Sequence, residues 1–199
     1  LPVGSIPVRF TPPQTGEPGV FGTEGQNDPT FGEILDRSEN RDALAAALGL
    51  YIDDLDPDLP AQTVSTGMAF CIVPLRSLEV AARLQIPPSA ARTYLERSDA
   101  KFFHCITRAA TGSNADWHAR MQFYNGEDPA TGSASGCAIA YLVRHGLAAS
   151  GQQIVIEQGM EMLRPSRIYT SATFANGVVS EVFVGGRTIP VASGRFFLP

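Results

Sequence analysis

Glu127 and Asp128 stand side by side immediately before Pro129 and seven consecutive small residues, Ala130 to Gly136, in the stretch "GEDPATGSASGC". An apolar run, "GCAIAYLVRHGL" at 136–147, follows directly. Carboxylates hold or move protons, and the first amides of a helix have no intrahelical acceptor. Together with the helix dipole, those amides make a site for an anion. Small side chains at Gly132, Ser133, Ala134 and Gly136 would let a carboxylate ligand approach that backbone, while the hydroxyls of Thr131 and Ser133 cap the helix or bind the ligand. A bound carboxylate beside Asp128 would favour its protonated, donating form, suited to general acid work or to holding a polar substrate. The same residue types also describe ordinary helix capping.

Successive residues at a helix start point in different directions, so Glu127 and Asp128 can rarely serve one substrate atom. The remaining candidates carry less chemistry. Cys71, Cys105 and Cys137 are odd in number and show no CxxC spacing, which points away from a disulfide framework or a zinc knuckle. "MAFCIVPL" and "KFFHCI" place two of them in apolar runs, where a buried free thiol is usual. A thiol one turn into a buried helix, as at Cys137, is inert. A reducing, cytoplasmic compartment is the expectation. His104, His118 and His145 are scattered without metal-ligand spacing and read as structural or surface residues. Glu157, Glu161 and Arg164 in "EQGMEMLRPSR" read as a solvated strand and turn, with Arg164 and Arg167 available to an acidic ligand.

The elements that must position these residues are legible in outline. "NRDALAAALGL" at 40–50 predicts a short helix closed by Gly49. "AFCIVPLRS" at 69–77 predicts a buried strand, "LEVAARL" a short helix stopped by Pro87 and Pro88, and "SAARTYLERS" a further turn or two of helix. "KFFHCITRAA" and "DWHARMQFY" read as strands separated by a turn at 112–114. The run at 136–147 is apolar nearly all round, which predicts a helix buried on most faces, with Gly146 at its end. "QQIVIEQG", "RIYTSATF", "GVVSEVFVGG" and "RTIPVASGRFFLP" alternate strands and turns, and Asn176-Gly177 is a hairpin signal. Residues 11–32, rich in Pro, Gly and Thr, read as an irregular connection.

The 199 residues suffice for one large domain, and 44% hydrophobic with 18% charged residues is an ordinary globular composition. A net charge of −5, with Lys101 as the single lysine, argues against nucleic acid and anionic membrane as partners, since both need a basic patch. No stretch approaches the length of a membrane span.

"EDPATGSASG" followed by an apolar helix resembles the signature of the phenazine-biosynthesis isomerase-like (PhzF-like) family, within the diaminopimelate-epimerase-like superfamily. "VSTGMAFCIVPLRSL" (64–78), "ARMQFYNGEDPATGSASG" (119–136), "EQGMEMLRPSRI" (157–168) and "VFVGGRTIPVASGRFFL" (182–198) extend the resemblance along the chain. The fold it implies is α+β: a curved, mostly antiparallel sheet wrapped around a central buried helix, two such domains enclosing a cleft. The activity it implies is a proton-shifting isomerisation or epimerisation of a small carboxylate-bearing metabolite, with neither metal nor organic cofactor. Asp128 matches the motif's aspartate, expected to hold substrate or share proton handling. Gly132 and Ser133 match the backbone and hydroxyl contacts at the helix start, Thr131 is a binding candidate by its hydroxyl, and Ser65, Thr66 and Gly67 are further candidates facing the cleft. In related racemases the catalytic thiol occupies the place of Thr131, not that of Cys137.

The family's acid/base glutamate lies in an "SET"-like segment of its first domain, beside a Gly-His contact, and neither element is recognisable here. Residues 1–10, in strand-like alternation at Val3, Ile6, Val8 and Phe10, are therefore expected to end a missing N-terminal domain of ~100 residues. In that organisation 11–32 is a connection, 33–186 the C-terminal epimerase-like domain, and 187–199 a strand returning to the missing domain. The expected partners are that domain or a second polypeptide covering the apolar edges, and a second copy of the chain in a homodimer. The alternative is a non-catalytic small-anion-binding or assembly protein that keeps the helix-end site without the base. A fragment of an intact enzyme is the third reading.

Overall fold

The computed structural model describes residues 6–12, 19–35, 40–109, 113–123, 126–189 and 191–197. The helix predicted from the apolar run, here called α4, spans Gly132–Arg144, and every residue from Ala134 to Val143 is buried. Such all-round burial demands that other elements surround it. A ten-stranded sheet does so, with α4 packing against strands from both of its arms.

One arm consists of β3 (Thr30–Ile34), β4 (Gln62–Ser65), β5 (Ala69–Pro74), β6 (Phe102–Arg108) and β7 (Trp117–Arg120). Strand periodicity sends alternate side chains to opposite faces. Phe70 and Ile72 of β5 join the core around α4, whereas Cys71 and Val73 join a second core on the opposite face. That second core is built with α1 (Arg41–Leu48), α2 (Leu78–Arg83) and α3 (Pro88–Leu95). Cover on both faces explains why β5 reads as a continuous apolar run. Pro88 opens α3 instead of merely stopping α2, because its missing N–H is no loss in a first helical turn.

The short hairpin of β8 (Gln122–Phe123) and β9 (Gly126–Glu127) stands apart from the large sheet and delivers the chain to Asp128. The other arm holds β10 (Ile154–Gln158), β11 (Ser166–Ala175) and β12 (Val178–Thr188), then β2 (Val20–Gly25) and β1 (Val8–Thr11). Asn176 and Gly177, at φ 53° and 78°, turn β11 into β12 in the left-handed conformation that this dipeptide tolerates. Two neighbouring pairs are parallel, β5 with β6 and β7 with β10. A parallel pair requires a long crossover, and α2 with α3 and then α4 lie in those two connections.

Two expectations change. Residues 11–32 are not irregular throughout: β2 falls within them and β3 begins there, and β2 pairs with both β1 and β12. The sequence "VFGTEG" lacks apolar alternation because its glycines serve close packing; a Cβ on Gly22 would lie 3.3 Å from the Phe10 ring. The expected strand in "RTIPVASGRFFLP" ends at Thr188, and 191–197 contain no strand. Val3 and Gly112, read as part of a strand and a turn, lie outside the described residues. Phe10, Ile189, Val191, Phe196 and Phe197 are exposed.

Candidate functional site

The acidic pair divides its work. Glu127, at the end of β9, accepts from the Arg120 guanidinium at both oxygens, Nε to Oε1 at 2.8 Å and Nη2 to Oε2 at 2.6 Å. Gln122 donates to the same carboxylate at 3.2 Å. Arg120 is buried and its Nη1 also donates to the carbonyls of Ala81 and Leu84 at the end of α2. Glu127 is therefore a structural group that ties the hairpin to α2.

Asp128 is half-buried and turned to the start of α4. Its Oδ2 accepts from the Thr131 hydroxyl at 2.9 Å and its Oδ1 from the Ala130 amide at 3.3 Å. Thr131 occupies the N-cap position, yet its hydroxyl makes no bond to the helix amides. The first backbone bond of the helix runs from Ser135 N–H to Thr131 O at 2.9 Å, so the amides of Gly132, Ser133 and Ala134 precede the ladder. Ser133 is exposed.

The small residues serve two purposes. Gly132 lines an open groove of about 740 Å³ together with Ala130, Glu24, Phe10, Val184 and Arg167. Gly136 is closed to any ligand: a Cβ there would sit 1.9 Å from Gln26 Oε1, and Ala134 is fully buried. Of the four small positions expected to admit a ligand, Gly132 and Ser133 keep access. Gln26, at the end of β2, donates to Gly132 O at 3.1 Å and accepts from the Thr66 hydroxyl at 2.7 Å. Thr66 is thus buried beneath Gln26 and within 3.6 Å of Cys137 Sγ. Ser65 and Gly67 flank it in a turn closed by Gly67 N–H to Ser65 Oγ at 3.2 Å. None of Ser65, Thr66, Gly67 or Asp128 lines the groove, whereas Gly132 does. Arg164 is exposed and does not line the groove that Arg167 lines.

Gln158 and Gln26 escaped the sequence reading. For Gln158 a signal exists: it stands at the inward phase of "IVIEQ" after Ile154 and Ile156, where an amide must be there for its hydrogen bonds. Gln26 has no such phase. Burial pushes the Cys105 thiol up to about 12 and raises Cys137 as well, which leaves both unsuited to act as thiolates. His104 is wholly buried and lowered by that burial to about 4, a neutral core residue.

Glu157 and Glu161 are not the solvated groups expected. Both bond the buried His118, Glu157 Oε1 to Nδ1 at 3.2 Å and Glu161 Oε1 to Nε2 at 2.9 Å. Burial opposes charge on His118, but the two carboxylates outweigh it and raise the histidine above its ordinary 6.5. Burial likewise opposes charge on Glu161, and its His118 bond outweighs that, lowering it below 4.5. A raised histidine stabilises the fold fully below about 6.5 and loses that contribution as pH rises through its folded value; the lowered Glu161 contributes above about 4.5 and loses it as pH falls. The cluster is at full strength between those limits. Urea unfolding across pH is expected to show stability declining on the alkaline side, and His118→Gln to remove that decline.

A curved sheet closed round one buried helix, whose N-terminus meets a tethered carboxylate beside a groove, is the epimerase-like class of α+β protein. The chain belongs to the phenazine biosynthesis-like protein family, whose model matches residues 1–194. It is 35% identical over 158 residues to the trans-2,3-dihydro-3-hydroxyanthranilate isomerase of Pseudomonas aeruginosa, covering 78% of this chain and 52% of that protein. A solved structure of a Pseudomonas aeruginosa protein described as a predicted epimerase superposes with a TM-score of 0.79 at 27% identity, over 98% of this chain and 64% of the other. The PhzF-family phenazine biosynthesis protein of Bacillus anthracis shares the fold, with a TM-score of 0.78 at 24% identity over 92% of this chain and 62% of that one. The chain spans about half the length of the curated relatives it matches, the first three being covered over 58%, 52% and 51% of their lengths.

Proposed function

We propose that this chain forms one wall of a PhzF-like isomerase or epimerase site, in which acid–base chemistry shifts a proton on a small carboxylate-bearing metabolite. The observation that carries the reading is the Asp128 carboxyl, tethered by Thr131 and Ala130 at the N-terminal end of α4. Asp128 holds the substrate or shares its proton, and the amides of Gly132 and Ser133 receive the substrate carboxylate. The groove beside Gly132 gives the substrate its entry on this wall. The substrate class is supported by the named relative, which acts on an anthranilate derivative and hence on a carboxylate. In this reading the partner acid/base glutamate stands on the opposite wall, supplied by an additional domain or a second polypeptide. Exposed apolar side chains such as Phe10 and Phe196 are where that wall would pack. Ser65 and Gly67 would then face the far end of the cleft, with Thr66 supporting them through Gln26.

Protein purified undigested from its native source should incorporate solvent deuterium into small carboxylic acids with an activated C–H, read by mass spectrometry in D₂O. Binding of those acids without any incorporation would favour the non-catalytic anion-binding alternative instead.

A further inference from the structure

We propose that Gln158 is the positioning residue for Asp128, acting through the Thr131 hydroxyl; this rests on the reading of Asp128 as the working carboxyl. Gln158 is 0% exposed, and its amide is spent on one loop. Its Nε2 donates to Asp128 O at 2.6 Å and to Thr131 Oγ1 at 2.9 Å, while Oε1 accepts from Thr131 N–H at 3.3 Å. The orientation of the amide follows from its partners. A backbone carbonyl and a backbone N–H face it, and the reversed amide would set oxygen against oxygen and hydrogen against hydrogen.

The consequence passes to Asp128 by hydroxyl arithmetic. Thr131 Oγ1 has a single hydrogen. With Gln158 donating to the oxygen, that hydrogen is directed to Asp128 Oδ2, the 2.9 Å contact already described. One glutamine thereby holds both the backbone and the carboxyl of Asp128. It also occupies the Thr131 N–H and leaves the Gly132 and Ser133 amides to the ligand. The fold brings Gln158 this close through Gly159, at φ 83°, where a Cβ would lie 2.4 Å from Arg164 O and 2.9 Å from Pro129 O. On either side, Glu157 and Glu161 are bonded to the buried His118, so the backbone carrying Gln158 is pinned.

The test uses Gln158→Leu and Gln158→Glu in the full protein, with turnover followed as deuterium incorporation across pH and amide exchange followed by NMR. Gln158→Leu should lower kcat by about 10- to 100-fold, the scale of a small misplacement of a reacting group, with KM changed less. Thr131 N–H should exchange faster while amides from Gly136 onward keep their protection. Gln158→Glu should be as impaired as Gln158→Leu wherever its carboxyl is ionised and has no hydrogen to donate, and burial extends its protonated form to higher pH. As pH falls it should recover in part relative to wild type, because the acid carries one O–H against the two hydrogens the amide donates. A merely structural role would leave the folded variants with wild-type kcat and an unshifted pH profile, and that result overturns the proposal. Should Asp128→Asn leave turnover intact, the functional reading fails by itself. Thr131 exchange then decides the tether alone: faster exchange in Gln158→Leu upholds it, and unchanged exchange ends it.

Discussion

On the proposed function, Asp128→Asn is expected to lower turnover by about 10²- to 10⁴-fold, the range that a positioned acid or base contributes, while the protein stays folded. The carboxyl is half-buried and makes two bonds, one from the Thr131 hydroxyl and one from the Ala130 amide. Losing the acceptor at Oδ2 reduces stability by about 1 kcal/mol. Asparagine matches aspartate in size, so any lost activity belongs to the missing charge and proton. Glu127→Gln is the control in the same pair. It weakens the Arg120 bridge and so lowers stability, yet the folded fraction keeps its turnover. Deuterium incorporation and urea unfolding on the two variants separate these effects. Loss of turnover in Glu127→Gln with retention in Asp128→Asn would reverse the assignment.

Arg120→Ala destabilises the fold by about 3–5 kcal/mol, because it leaves a largely buried carboxylate without its cation. The Arg120 and Glu127 side chains are 6% and 13% exposed, joined at 2.6 Å by Nη2 and Oε2. Removing the guanidinium also takes one donor each from the Ala81 and Leu84 carbonyls, at bonds of 2.7 Å and 3.2 Å, while the Leu84 amide and Gln122 Nε2 still donate to them. Replacing both partners with apolar residues, Arg120→Met with Glu127→Leu, recovers much of the loss, since the Glu127 charge goes with its cation and Glu161, 3.6 Å from Arg120 Nε, keeps its bond to His118. Equal unfolding midpoints for Arg120→Ala and wild type would show that the bridge contributes nothing.

Local rules account for much of what the chain reveals unaided. The burial of α4 follows from apolar residues on all its faces, and the Asn176-Gly177 turn from two residues that accept positive φ. The β5 strand follows from a run too short and too β-branched for a helix. β2 and β3 were not legible because their support is non-local: β2 is completed by β12, so Thr23 pairs with Gly185 far along the chain. Neither composition nor period in "VFGTEG" records that partner.

The candidate site divides in the same way. Asp128, Thr131, Gly132 and Ser133 are contiguous, and chain geometry alone brings a carboxylate to a helix start, so the sequence by itself determined that juxtaposition. Tertiary structure decided the rest. It made Glu127 a structural partner of Arg120, filled the space at Gly136 with Gln26, and put Gln158 behind Thr131. Those contacts join residues 40 apart for Thr66 with Gln26, 106 apart for Gln26 with Gly132, and 27 apart for Gln158 with Thr131. Buried amides must find partners wherever the sheet delivers them, and the order of strands around α4 determines which partners those are.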